Sequence, residues 1–98
     1  MSSGNVFADI GLPNPDEVLF KAELVMAISE IVRKRSMSQS SAAKLMGIDQ
    51  PKVSTLMTGD TRGFSADRLI RMLTRLGQDV EIRVRNSRNA RGRVSVAA

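Results

Sequence analysis

The sequence predicts an all-α fold of four main helices, followed by a C-terminal β-strand. Apolar residues recur at helical spacing in four segments, each segment begins at a capping residue, and strict alternation of polar and apolar residues starts only near residue 79. The 98 residues are enough for one domain. We expect a helical domain over 14–77, an arm over 1–13, a strand over 78–85 and a basic disordered tail over 86–98.

The first helix is predicted to begin at Asn14-Pro15-Asp16-Glu17 and to end near Lys34 or Arg35. Asparagine is a good cap, proline fits the first helical turn, and acids suit the positive end of the helix dipole. Its main apolar stripe consists of Val18, Ala22, Val25, Ile28 and Val32. Leu24 and Ile31 widen this stripe, whereas Phe20, Met26 and Ala27 lie towards other faces. This surplus of apolar residues is either loose patterning or a partner surface.

Two short helices are predicted next, over 39–46 and 50–57, with Ser38 and Asp49 as their caps. Gly47 lies between them and suits the left-handed residue that follows a helix end. Two short helices joined by so tight a turn are typical of a helix-turn-helix motif. The fourth helix is predicted to be capped by Ser65 and to end at Gly77, with apolar positions Leu69, Ile70, Met72, Leu73 and Leu76. With the strand, this makes a five-element helix-turn-helix domain.

The strand is predicted from the alternation over 79–85, where Val80, Ile82 and Val84 are the apolar positions. A single strand cannot satisfy its own backbone hydrogen bonds, so it must pair with the arm, with a second copy or with another protein. We favour pairing across a homodimer, with these three side chains at the dimer or partner contact.

Composition excludes several classes of function. Neither cysteine nor histidine occurs in the sequence, so disulfides and the commonest metal ligands and general bases are absent. We find no phosphate-binding glycine loop, nucleophile–base pair or paired carboxylates, and expect no enzyme, cofactor or metal. No apolar run reaches the ~20 residues of a membrane span, so the expected location is cytoplasmic, with no membrane partner.

The charge is unevenly distributed along the chain. Residues 1–32 carry five acids against one lysine, whereas residues 33–75 carry nine Lys or Arg against three Asp. Residues 82–98 add five Arg without any acid. The basic segments indicate an anionic partner, although a solvated surface with a loose tail would have the same pattern.

The helix over 50–57 carries the side chains that could read bases in double-stranded DNA. Glutamine matches adenine, lysine reaches guanine or phosphate, Ser and Thr suit several base edges, and proline offers an apolar contact to a thymine methyl group. The predicted base contacts are Gln50, Pro51, Lys52, Ser54 and Thr55. The predicted contacts to the DNA backbone are Ser38, Gln39, Lys44, Thr58, Thr61 and Arg62. We interpret Arg68, Arg71 and Arg75 as an exposed, solvated helix face.

The residues Gln39, Ala43, Gly47, Ser54 and Gly59, in this order and spacing, resemble the Xre/Cro/C1-type helix-turn-helix family. The resemblance covers roughly residues 20–77 and implies a lambda-repressor-like fold that binds operator DNA as a dimer. Segments 5–9, 63–65 and 76–82 resemble an antitoxin-like subgroup related to the HigA-type antitoxins. The sequence departs from the family at two places: Ala42 stands where leucine is frequent, and Met57-Thr58 replaces a frequent acidic residue. Both changes affect packing more than the side chains predicted to contact bases.

We therefore expect a sequence-specific transcriptional regulator that acts as a homodimer on an inverted-repeat operator. Repression or autoregulation is favoured, because the remaining length holds no separate activating domain. The alternative implied by the resemblance is a protein whose main role is to bind and neutralise a toxin partner, a ribonuclease of the RelE/HigB type.

Overall fold

The computed structural model describes residues 15–97. Four helices occur in this part of the chain: α1 (Pro15–Lys34), α2 (Gln39–Met46), α3 (Gln50–Met57) and α4 (Ala66–Arg75). The prediction of four main helices is confirmed, and the bounds of α2 and α3 agree with it to the residue. The predicted arm over 1–13 and the predicted cap Asn14 lie outside the described residues.

The core lies where the four helices meet. α1 packs along α4, while α2 packs against both α3 and α4, and α1 also touches α3. The largest of the fully buried side chains come from α1, α3 and α4 and from the residue after α4: Ile28, Val53, Leu56, Leu69 and Leu76. No polar or charged residue is buried among residues 15–97, so apolar burial supplies the stability of this core.

The apolar stripe of α1 is only partly the predicted one. Val25, Ile28 and Val32 are buried as expected, and Leu24 is buried with them. Val18, which the stripe included, is 64% exposed, because the buried part of α1 begins only at Leu24. Leu19 and Met26 are also exposed, at 62% and 70%. Most of the surplus apolar residues of α1 pack on the core: Leu24 is buried, and Phe20, Ala27 and Ile31 are partly buried against it. The exposed apolar surface of α1 consists of Val18, Leu19 and Met26.

The predicted strand over 78–85 does not form in the described part of the chain. Its backbone runs without a ladder partner, because residues 15–97 offer no second strand to pair with. Val80, Ile82 and Val84 are 37%, 79% and 94% exposed. The alternation of polar and apolar residues is present in the sequence, but a β-sheet forms only when a second strand is there to pair with.

The end of the chain returns to α1. The backbone N–H of Val96 donates a hydrogen bond to Oε1 of Glu23 at 3.2 Å, and the Val96 side chain is half-buried against the core. This contact joins positions 73 residues apart. Within residues 15–97, no helix has both the length and the apolar character needed to cross a bilayer.

Helix caps provide a matched test of local stability. The Ser65 Oγ accepts a hydrogen bond from the Arg68 N–H at 3.1 Å, and the Ser38 Oγ accepts one from the Ser41 N–H at 3.0 Å. Asp49 occupies the same position before α3 but makes no capping hydrogen bond, so the prediction that its side chain caps α3 is wrong.

We expect Ser65→Ala to lower the free energy of unfolding by about 1 kcal/mol, because an N–H of α4 loses its acceptor. Asp49→Ala removes no such bond and should cost clearly less. Urea unfolding of the two variants beside the unchanged chain measures the difference. Equal losses of unfolding free energy in the two variants would contradict a capping hydrogen bond at Ser65 and its absence at Asp49.

Candidate nucleic-acid interface

The helix-turn-helix motif formed by α2 and α3 is stabilised by the turn between them and by two buried side chains of α3. Gly47 has a φ of 73°, a left-handed conformation that glycine adopts without a Cβ penalty. The N–H groups of Gly47 and Ile48 both donate to the Ala43 carbonyl, at 2.9 and 3.1 Å, which closes the end of α2. Val53 and Leu56 are 0% exposed. They anchor α3 to the domain and thereby determine which of its faces meets solvent.

The five predicted base-contact residues are all exposed on α3: Gln50, Pro51, Lys52, Ser54 and Thr55. With about 3.6 residues per turn, four of them follow one another around the face opposite Val53 and Leu56. Lys52 lies at the border of this face, beside the buried side. This position suits a contact to phosphate better than a contact to a base edge. α3 itself carries no acidic residue.

Two threonine hydroxyls at the end of α3 already donate to the backbone. The Thr55 Oγ1 donates to the Pro51 carbonyl at 3.0 Å, and the Thr58 Oγ1 donates to the Thr55 carbonyl at 2.6 Å. Each hydroxyl oxygen keeps lone pairs that can accept a hydrogen bond. In this conformation Thr55 can therefore accept from a base amino group, while Thr58 would have to rotate to donate to a phosphate.

The predicted phosphate contacts of α2 lie around its N-terminus and along its outer side. Gln39 and Lys44 are exposed. The Ser38 hydroxyl is engaged in the cap, where it also donates to the Ser41 Oγ at 3.0 Å. The N-terminal turn of a helix has free N–H groups that favour anions. Gln39 and Lys44 are therefore better placed for phosphate in this conformation than the Ser38 side chain.

The loop after α3 contains an ion pair that the sequence analysis missed. The Arg62 guanidinium donates from Nε and Nη2 to the two Asp60 oxygens, at 3.0 and 2.9 Å, and the Arg62 N–H donates to Oδ1 at 3.1 Å. These hydrogen bonds lower the pKa of Asp60 to about 2 and raise the pKa of Arg62. The Arg62 side chain stays 90% exposed. A phosphate at Arg62 would therefore compete with Asp60 for the guanidinium. An aspartate two residues before an arginine, in a turn, was the available signal.

We expect Arg62→Ala to raise the pKa of Asp60 from about 2 part of the way towards the ordinary value of about 3.9, because the backbone N–H of residue 62 still donates to Oδ1. The reason is that Arg62 favours the charged carboxylate over the protonated acid. The stabilisation from this pair is present above the unfolded-state pKa and is lost as the pH falls towards 2. A pH titration of the Asp60 carboxyl carbon by NMR measures the shift, with Lys52→Ala as the control that leaves it in place. A pKa unchanged in Arg62→Ala would contradict the pairing.

Comparison with known proteins gives two findings. A family model described as a helix-turn-helix domain matches residues 6–85, which includes all four helices. A solved structure named "Putative XRE Family Transcriptional Regulator" is similar to this chain, with a TM-score of 0.76 and 36% sequence identity. That similarity covers 88% of this chain and 97% of the solved chain. A comparison with curated proteins found no match.

Proposed function

Because the chain belongs to the XRE family of helix-turn-helix domains, we propose that it regulates transcription by binding a specific sequence in double-stranded DNA. The observation that carries the proposal is the arrangement of α3. Val53 and Leu56 hold one side of the helix in the core, while Gln50, Ser54 and Thr55 face solvent. A short helix anchored in this way, with polar residues outside, fits the major groove.

We propose further that the protein acts as a homodimer and represses transcription, including that of its own gene. Support for the dimer comes from the segment over 79–85, where Ile82 and Val84 alternate with charged residues and are 79% and 94% exposed. Pairing with the same segment of a second copy would satisfy its backbone and cover these side chains. Two copies would present two α3 helices about 34 Å apart, so the operator should be an inverted repeat.

Selection from a random duplex DNA library at near-physiological salt tests the DNA-binding proposal. We expect enrichment of a two-fold symmetric motif, with half-sites about one helical turn apart. A search for the motif upstream of the protein's own gene, followed by a reporter assay there, tests autoregulation. Binding that enriches no motif and disappears as the salt concentration rises would indicate contact through charge alone and would overturn sequence-specific recognition.

The dimer can be tested by crosslinking, because the chain contains no cysteine. A Val84→Cys variant treated with a short bis-maleimide should form a covalent dimer at micromolar concentration. Ser40→Cys, on the exposed outer side of α2, is the matched control and should remain monomeric on denaturing gels. A monomeric sedimentation profile together with equal crosslinking of the two variants would overturn pairing through this segment.

A second candidate function is binding of a protein, and the exposed side of α1 favours it. Val18, Leu19 and Met26 are more than 60% exposed. A largely apolar groove of about 420 Å³ continues from Met26 to Met57 at the end of α3. Apolar surface of this kind commonly marks a protein contact. The resemblance to HigA-type antitoxins makes a ribonuclease toxin the partner to test.

The toxin proposal is tested by co-expression with the ribonuclease that would be encoded beside the gene. Three variants are compared for rescue of growth: deletion of 1–13, deletion of 79–98, and Met26→Asp. We expect at least one of them to lose neutralisation while the helical circular dichroism signal is retained. Absence of such a ribonuclease, or full rescue by all three variants, would remove this candidate.

A further inference from the structure

A second groove lies between the α2–α3 turn and α4, and it is basic at its rim. Its volume is about 170 Å³. Three apolar side chains and three arginines of α4 line it: Met46, Ile48 and Met72, with Arg68, Arg71 and Arg75. Because Met46 and Met72 are only 3% and 2% exposed, the apolar floor that a ligand can reach is mainly the half-buried Ile48. The arginines follow one another at helical spacing, but only the tertiary structure places them beside the turn at Gly47. All three arginines are exposed, as the sequence predicted, and they also line this groove.

Each arginine is positioned by a different contact. The Arg68 guanidinium lies over the Phe64 ring, 4.9 Å from its centroid. Arg71 pairs with Asp67 at 3.1 Å. Arg75 lies against Gly47, where an added Cβ would stand 2.6 Å from its Nη1, so the absence of a side chain at Gly47 makes room for this guanidinium.

Two of these guanidinium groups lack a carboxylate partner in the described part of the chain. The ion pairs among residues 15–97 involve Glu30, Asp60, Asp67 and Glu81, and none of them includes Arg68 or Arg75. No acidic residue lines the groove. The contact with Phe64 restrains Arg68 through its guanidinium carbon, and its N–H donors remain available to a ligand. The guanidinium groups of Arg68 and Arg75 can therefore each donate hydrogen bonds to an anion in the groove.

We propose that this groove binds an acidic segment of a partner protein. Two carboxylates of the segment would be bound by Arg68 and Arg75, and an apolar side chain between them would cover the floor at Ile48. Arginine binds carboxylate in a bidentate manner with directional hydrogen bonds. An apolar floor with an arginine rim is the composition of a protein interface.

The composition of the groove favours a protein over DNA. A run of phosphates would match the arginines but would leave the half-buried Ile48 uncovered. Of the predicted phosphate contacts of α2, Gln39 lies about 12 Å away at the other end of its eight residues. Lys44 lies nearer, in the last turn of α2, so DNA binding by the groove is an outcome that the experiment must distinguish. The proposal does not depend on sequence-specific DNA binding, because the residues of the groove and those of the α3 face are different.

Selection of displayed random peptides on the full chain tests the proposal, with excess duplex DNA present to occupy the DNA-binding face. We expect enriched peptides with two or more Asp or Glu around an apolar residue. They should bind the Arg68→Ala/Arg75→Ala variant about tenfold or more weakly than the unchanged chain. The matched control is Arg88→Ala/Arg91→Ala, which removes the same charge from exposed positions beyond the proposed pairing segment and should bind like the unchanged chain.

Three outcomes would overturn the proposal. The first is the absence of acidic peptides among those enriched. The second is equal weakening by the two double variants, which would show a response to net charge alone. The third is a loss of affinity of the groove variant for duplex DNA, with a salt slope reduced by about two, which would place the groove in the DNA footprint.

A further variant keeps the test decisive if the alanine variant does not fold. Arg68→Lys/Arg75→Lys retains the charge but not the planar fork of donors. A folded lysine variant should still lose several-fold in peptide affinity, and full affinity in that variant would contradict bidentate binding. Thermal unfolding followed by circular dichroism establishes that each variant is folded before the binding is compared.

Discussion

Replacing Ile28 with alanine is expected to lower the free energy of unfolding by about 2–5 kcal/mol. Ile28 is 0% exposed and lies in the middle of α1, the helix that packs along α4 and also touches α3. The substitution removes apolar surface from the core and leaves a cavity that the neighbouring helices fill only in part. Domains of this size are stable by only about 5–15 kcal/mol. The variant should therefore unfold at a clearly lower urea concentration than the unchanged chain.

Urea unfolding monitored by circular dichroism measures this loss. Met26→Ala is the matched control, because Met26 lies on the same helix and is 70% exposed. It should change stability by no more than about 0.5 kcal/mol. Similar losses in the two variants would mean that α1 does not pack with Ile28 facing the core, and the described arrangement of the helices would be wrong.

Replacing Gln50 with alanine is expected to weaken binding to the selected operator by about 1–3 kcal/mol per half-site, which is roughly 5- to 150-fold. Gln50 is exposed at the first position of α3, where its amide can both donate to and accept from one base. The variant should also lose its preference at one base pair, while the slope of affinity against salt stays the same because no charge is removed. Fluorescence anisotropy on operator duplexes with single base changes measures both effects.

Gln78→Ala is the matched control for this experiment. It removes the same amide from a half-buried position that follows α4 and is not part of α3. Its affinity and its base preference should equal those of the unchanged chain. If Gln50→Ala also left both quantities untouched, α3 would not read bases through this residue, and the recognition role proposed for it would be wrong.

Local features of the fold were predictable because neighbouring residues decide them. α2 and α3 begin and end where the capping residues and Gly47 predict. Ser38 and Ser65 cap as expected, since their hydroxyls need only reach an N–H three residues ahead. The exposure of the α3 face also followed from the spacing of Val53 and Leu56. The roles assigned to the exposed side chains remain predictions.

Other features depend on what a residue meets at a distance, and these were missed. Nothing local distinguishes Val18, which is exposed, from Val25, which is buried; the difference is how far the packed part of the domain extends along α1. The pairing of Asp60 with Arg62 depends on the path of the loop after α3. In the same way, the alternation over 79–85 specifies which side chains would share a face but supplies no second strand.

By itself, the sequence determined the four helices, the turn at Gly47 and which residues of α3 can face outwards, because helix periodicity, caps and glycine conformation are properties of short segments. Only the tertiary structure decided that Arg68 and Arg75 of α4 line a groove beside Gly47, with Met46 and Ile48 between them. It also decided that Val96 returns to Glu23 on α1. These contacts join parts of the chain that are far apart in sequence, and their partners are selected by how whole helices pack rather than by the pattern within any one of them.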